Sequence, residues 1–326
     1  MRHEGYLVSG APPGRVDAHH HVWDPGHRRQ AWLEKPEMAP LRRRFDLSDL
    51  AAVAGAAGVR ATVLVQVLPD AQETVEFLAL AATCADTAVS ADTATRTTSA
   101  DAATRADGAD PCGGPVVAGV VGWLDLTEPG VGDRIAQLRD GPGGDRLVGV
   151  RHLVQDEPDP DWLTRPDVLR GLRAVAEAGL VVDLLVRPHQ LEAATRAVHA
   201  VPDGRFVLDH LGKPPVAEGL LSPWSVRVSE LAATGRTAVK LSGMVTETGR
   251  GQEPVAQLRP FTAVALEVFG ADRVMTGSDW PVCLLRSSYA RTLAVTDALT
   301  DQLSPAELTA VRGGTATRWY GLGLPR

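Results

Sequence analysis

The sequence predicts a single (β/α)8 barrel. Three observations carry that prediction: eight short, β-branched apolar runs, stretches of helical spacing between them, and a length of 326 residues, ordinary for one such barrel. Most of the runs are near-continuously apolar rather than alternating. Parallel strands covered on both faces read this way.

The first strand is RVDAHHH (15–21). On an extended chain residues two apart share a face, so Asp17, His19 and His21 are expected on one side and Ala18 and His20 on the other. The two imidazoles would stand about 7 Å apart along the strand and can converge on one ion or carbonyl group. A helix over 46–57 follows, with Ser48 as its N-cap, then RATVLVQ (60–66) and a helix over 70–84 capped by Asp70. Residues 85–114 break the alternation. Ala, Asp, Thr, Ser and Gly dominate there, and SADTATR (90–96) nearly repeats as SADAATR (99–105). With so little to bury, the segment is expected to be a disordered insert in one domain spanning 1–326, a short surface helix being the alternative.

VVAGVVGWLDL (116–126) and LVGVRHL (147–153) supply strands three and four. Behind Pro166, Val168, Leu172, Val175 and Gly179 fall on one helical stripe. Strands five to eight are VVDLLV (181–186), RFVLDHL (205–211), TAVKLSG (237–243) and RVMTGSDW (273–280). Helical patterns occupy 188–201, 223–234, 254–269, 288–299 and 304–320, the last opened by Ser304 as N-cap and Pro305 at the first helical position.

Composition excludes several function classes. A net charge of −7 without a basic patch argues against nucleic acid or an anionic membrane as partner. Cys84, Cys112 and Cys283 make neither a disulfide framework nor a CxxC metal pair, and MRHEGYLVSGAPPG holds no apolar leader, so a reducing cytoplasm is expected. Arginine replaces lysine almost throughout. Only Lys35, Lys213 and Lys240 remain, which draws attention to the last two.

In a barrel of this kind the site lies at the carboxyl ends of the strands. Those ends hold His19 and His21, Gln66, Trp123 and Asp125, Arg151 and His152, Asp183 leading to His189, Asp209 and His210, Lys240 and Ser242, and Asp279 and Trp280. Histidine is scarce, nine in all, yet most of it falls at these ends, which points to an enzyme. Each residue has a plainer rival. Asp279 in GSDWP suits a turn, Lys240 a salt bridge at the rim, and Trp23 and Trp280 the core. Asp209 and His210, like Arg151 and His152, are neighbours, so only one of each pair should face inward.

VDAHHHVWD, GVRHLVQDEPD, FVLDHLGKP, VKLSG and GSDWPVC, in that order, resemble the amidohydrolase superfamily, and within it the sugar-lactone hydrolases of the L-fuconolactonase and L-rhamnonolactonase kind. The resemblance covers roughly 15–322. It implies HxH after strand one (His19, His21), His after strand six (His210) and Asp after strand eight (Asp279). It also selects His210 over Asp209. Arg151 and His152 stand where metal-dependent members commonly carry a carboxylated lysine or a glutamate, so a binuclear centre is not expected. Arg151 matches the arginine of lactonases that work without metal.

The resemblance therefore implies a hydrolase opening a sugar lactone to the aldonic acid. Asp279 would activate water, and Arg151 with His19, His21 and His210 would stabilise the oxyanion. His152, Gln66, Lys240, Trp23, Trp280 and His189 would hold the sugar. His19 and His21, with Asp279, would hold one zinc-like ion or else the substrate itself, and an adjacent guanidinium would repel a dication. A metal-dependent decarboxylase of the same superfamily is the alternative, and a non-catalytic sugar-binding barrel a third reading. The expected partner is a small sugar lactone; sugar identity and oligomeric state stay open.

Overall fold

The computed structural model describes residues 14–95 (backbone alone from 84), 114–249 and 253–324. Eight parallel strands run in sequence order around one sheet: β1 Arg15–His20, β2 Val59–Val65, β3 Val116–Gly122, β4 Leu147–His152, β5 Val181–Leu184, β6 Arg205–Leu208, β7 Thr237–Leu241 and β8 Val274–Thr276. The ring closes where His20 bridges Trp280 in parallel and the His21 amide donates to the Trp280 carbonyl at 2.7 Å. That closure sets the HxH segment against GSDW.

The helices between are α1 Leu47–Ala54, α2 Ala71–Thr95, α3 Val131–Asp140, α4 Pro166–Glu177, α5 Leu191–Ala200, α6 Trp224–Ala233, α7 Pro254–Phe269 and α8 Tyr289–Leu299. Two short helices end the described chain, α9 Pro305–Thr309 and α10 Thr315–Tyr320, separated by one π-helical turn. All eight expected strands are present. Their carboxyl ends are shorter than expected, because the chain leaves extended geometry as soon as it reaches the site.

Local chemistry explains most boundaries, and corrects some expectations. Asp46, not Ser48, caps α1: its carboxylate accepts from the Ser48 and Asp49 amides in a capping box. Asp70 accepts from the Gln72 amide ahead of α2, and Ser304 caps α9 as expected. The sequence offered no clear sign of α3, which is mostly polar and buries only Val131, Ile135 and Leu138. Helix α2 continues over residues 85–95, and the remainder of the expected insert, 96–113, lies outside the described residues.

Two apolar layers hold the barrel. Outward-facing residues such as Leu64, Val150, Leu184 and Phe206 pack beneath the helices. Inside, Val16, Ala18, Val63, Val121, Val207 and Met275 meet Tyr320 and Leu322 from the end of the chain, so the interior is filled. Above this plug the lining becomes polar. Among the described residues no helix is long and apolar enough to cross a membrane.

Candidate active site

Strict alternation would put Asp17 beside His19. The β1–β2 register instead slips between Asp17 and His20, and the slip turns Asp17 away from the histidines. Its carboxylate accepts from the Tyr289 hydroxyl of α8 (3.0 Å) and the Ser278 amide (2.8 Å), while Ala18 stays in the interior cluster. Asp17 thus fastens the first strand to the loop after β8. His20 faces Thr62 at 3.0 Å, also off the site.

His19 and His21 do converge: their Nε2 atoms lie 3.2 Å apart. His21 donates through Nδ1 to the Val65 carbonyl at 2.8 Å, which leaves its Nε2 lone pair facing the site. Asp279 Oδ1 stands 3.4 Å from that nitrogen and 3.7 Å from His19 Nε2. Asp279 thus stands within reach of both imidazoles, and its backbone sits at φ 55° in a tight turn. Asp is among the residues that tolerate the left-handed region best.

The expectation that only one of Asp209 and His210 faces inward is not met, since both do. Strand β6 ends at Leu208, and residues His210–Lys213 all take positive φ, a full left-handed turn. Each non-glycine residue held there costs about 1–2 kcal/mol, and such strain persists where function requires it. Asp209, fully buried, reaches Arg151 (3.0 Å), Lys240 (3.0 Å) and His19 Nδ1 (3.3 Å). The His210 ring lies 4.6 Å from that of His19, with Nδ1 bonded to the Ser242 hydroxyl at 2.9 Å.

Arg151, not His152, enters the barrel. Its Nη1 lies 3.3 Å from His19 Nε2, and its Nη2 donates to the Gln66 carbonyl at 2.6 Å. Gln66 returns a bond from Nε2 to the Arg151 carbonyl, leaving its buried Oε1 without a partner. His152 has both nitrogens engaged, by the Trp123 indole (3.2 Å) and Glu157 (2.7 Å), and its ring stacks on Trp162. Neither of its ring nitrogens is left free.

Three further expectations need correction. Lys240 is not at the rim: its fully buried ammonium lies below the histidines, 2.6 Å from Asp183 and 3.2 Å from His19 Nδ1. Trp23 and Trp280 are core, both packed on Phe45, with the Trp23 indole donating to the Leu41 and Arg43 carbonyls. His189 is exposed in the turn after β5 and makes none of the cluster's contacts.

Sequence reasoning missed Gly243, where φ is 62° and a Cβ would fall 2.6 Å from His210 Nδ1 and 3.0 Å from Asp279 Oδ2. It also missed Tyr320, whose hydroxyl donates to Asp183 from the far end of the chain at 2.8 Å. The Gly after KLS was a readable signal; nothing local marks Tyr320.

Burial governs the electrostatics. It pushes the His19 imidazole well below its usual range, against the pull of Asp209, and lowers His210 to about 4. Asp279 is raised by burial, yet His210, His21 and His19 around it outweigh that and hold it below the usual carboxylate range. The site at neutral pH is an ionised carboxylate among imidazoles, with a guanidinium beside them.

His19, His21 and Asp279 offer three donor atoms close enough for one ion, as do His19, Asp209 and His210. The first set fits a single divalent ion by chemistry, two imidazoles and a carboxylate with one tautomer already fixed. Lys240 lies at His19 Nδ1, the nitrogen on the side of Asp209, and Arg151 lies at Nε2, so a cation already stands beside each nitrogen of His19.

The amidohydrolase family model matches residues 16–322. An L-fucono-1,5-lactonase of Burkholderia ambifaria is 33% identical over 315 residues, spanning 95% of this chain and 97% of that one. Its counterpart from Burkholderia multivorans is 32% identical over 323 residues, with the same coverage. An amidohydrolase of Burkholderia multivorans solved with bound zinc superposes with a TM-score of 0.80 at 32% identity, covering 94% of this chain and 99% of that one.

Proposed function

This chain belongs to the amidohydrolase family and is a lactone-hydrolysing enzyme, and from that premise we propose that it opens a sugar aldonolactone, of the L-fucono-1,5-lactone kind, with Asp279 as the base. The observation that carries the reading is the convergence of Asp279, His19, His21, His210 and Arg151 at the carboxyl end of the barrel.

Asp279 accepts the proton of a water as that water bonds to the lactone carbonyl carbon, the moment at which the water becomes strongly acidic. Arg151 and His210 stabilise the charge that gathers on the carbonyl oxygen. The bond from that carbon to the ring oxygen then breaks, and Asp279 returns its proton to the leaving alkoxide. A carboxyl group held at low pKa is a weak base but a ready donor, so the second transfer is the easier. Lys240, Asp209 and Ser242 touch no substrate in this scheme; they fix the rings of His19 and His210. His19, His21 and Asp279 would hold an ion where one is bound, and it would polarise the carbonyl and acidify the water.

The test is a panel of aldonolactones followed by proton release. A six-membered sugar lactone should turn over with one acid equivalent released and no carbon dioxide. Carbon dioxide from an aromatic acid, with every lactone inert, would replace this reading by the decarboxylase one.

A further inference from the structure

Lys213 has no part in the scheme above, yet the chain bends sharply to place it. It closes the left-handed turn that carries His210, its amide donating to the His210 carbonyl at 2.8 Å, and its own φ is 52°. Unlike glycine or asparagine, lysine gains nothing from that backbone, so the turn alone does not account for a lysine here. The side chain is half-buried, and among the described residues its ammonium has no hydrogen bond and no ion-pair partner. The Lys213 amide is anchored on the His210 carbonyl and its charge bears on both His210 and Glu247, while Glu247 in turn feels Asp279, so Lys213 stands beside the site. Arg187, the other cation near Glu247, is exposed and donates to the Gln155 carbonyl.

Charge explains why a free cation is useful there. Within the site Asp183, Asp209 and Asp279 face Arg151 and Lys240, so the interior carries one surplus negative charge. Lactone opening adds a second surplus negative charge, the product carboxylate, in the same space. We propose that Lys213 is a substrate- and product-contacting residue, whose ammonium receives the carboxylate that ring opening creates.

The inference rests on the lactonase reading, and its test separates the two. Inhibition of lactone turnover by L-fuconate is measured for the wild type, Lys213→Met, Lys213→Gly and Lys213→Arg. The glycine variant relaxes the strained backbone while removing the charge, which keeps a folding defect in the methionine variant from deciding the matter. Expected is a rise in the inhibition constant of about tenfold in both uncharged variants, with the arginine variant within about threefold of wild type. Uncharged variants within about threefold of wild type, or a wild type that the aldonate does not inhibit, would overturn this inference alone. A wild type that opens no lactone would remove the reading beneath it as well.

Discussion

Asp279 is held ionised, almost wholly buried, with its carboxylate turned to two imidazoles rather than to a helix end. Asp279→Asn keeps that shape and cannot take a proton. We expect kcat to fall by roughly 10²–10⁴-fold, with some loss of stability as well, since the fold favours the ionised carboxylate. A folded variant within tenfold of wild type would move the base to His210. Gly243 gives a complementary prediction. Gly243→Ala forces a Cβ against His210 and Asp279 on a left-handed backbone, so it should cost about 1–3 kcal/mol and most of the activity together. Thermal melts beside kinetics on the folded fraction would check both. At this scale the sequence was legible where residue type carries chemistry, as in His19, His21, His210, Arg151 and Asp279. It was illegible where orientation depends on backbone: the slip in β1 and the turn at His210–Lys213 each defeat simple alternation, and no apolar pattern records either.

Among elements, strands and most helices followed from apolar runs and caps, while α3 did not, because a helix with three buried residues has almost no stripe to read. The junction of β2 with α2 depends on a buried acid. Glu73, in the first turn of α2, accepts from the Val67 and Leu68 amides at 2.7 and 3.0 Å, closing the loop that carries Gln66. Burial raises its pKa from 4.5 to about 7, against those hydrogen bonds and Arg28. The folded state therefore holds this proton more tightly than the unfolded chain. Its contribution, roughly 3 kcal/mol, is complete below about pH 4.5 and is lost as pH rises through 7. Glu73→Gln keeps an acceptor for both amides and does not ionise, so the variant should lose less stability than wild type between pH 5 and pH 8. Parallel denaturation curves at the two pH values with equal differences would show that Glu73 does not titrate in this window.

Over the whole molecule, the site rests on a charge network that no single segment encodes. Tyr320 of α10 donates to Asp183 of β5; Lys240 of β7 joins Asp183 to Asp209 after β6; and Arg151 of β4 meets the far oxygen of Asp209. Burial raises Asp183 despite the ammonium beside it, whereas Lys240, His19 and Arg151 overcome burial at Asp209 and hold it well below its usual range. The sequence showed these residues at strand ends, but their pairing belongs to the closed ring. It also bears on metal. With both cations beside His19, elemental analysis after dialysis against zinc should find no more than one equivalent per chain, and two equivalents with activity following both would contradict the geometry.

The same network predicts an asymmetry between breaking it and replacing it. Lys240→Met removes one cation and leaves Asp183 buried with only the Tyr320 hydroxyl, a loss expected to cost about 3–5 kcal/mol. Pairing it with Asp183→Asn removes the uncompensated anion, so the double variant should recover much of that stability. Activity should not return with it, because His19 loses the ammonium at Nδ1 that helps fix its ring. Urea denaturation of wild type, both single variants and the double completes the cycle. If the double variant is as unstable as Lys240→Met alone, packing of the lysine stem, and not charge balance, holds this part of the barrel together. Recovery of stability without turnover would show that the network serves two separable ends, folding the ring and aiming His19.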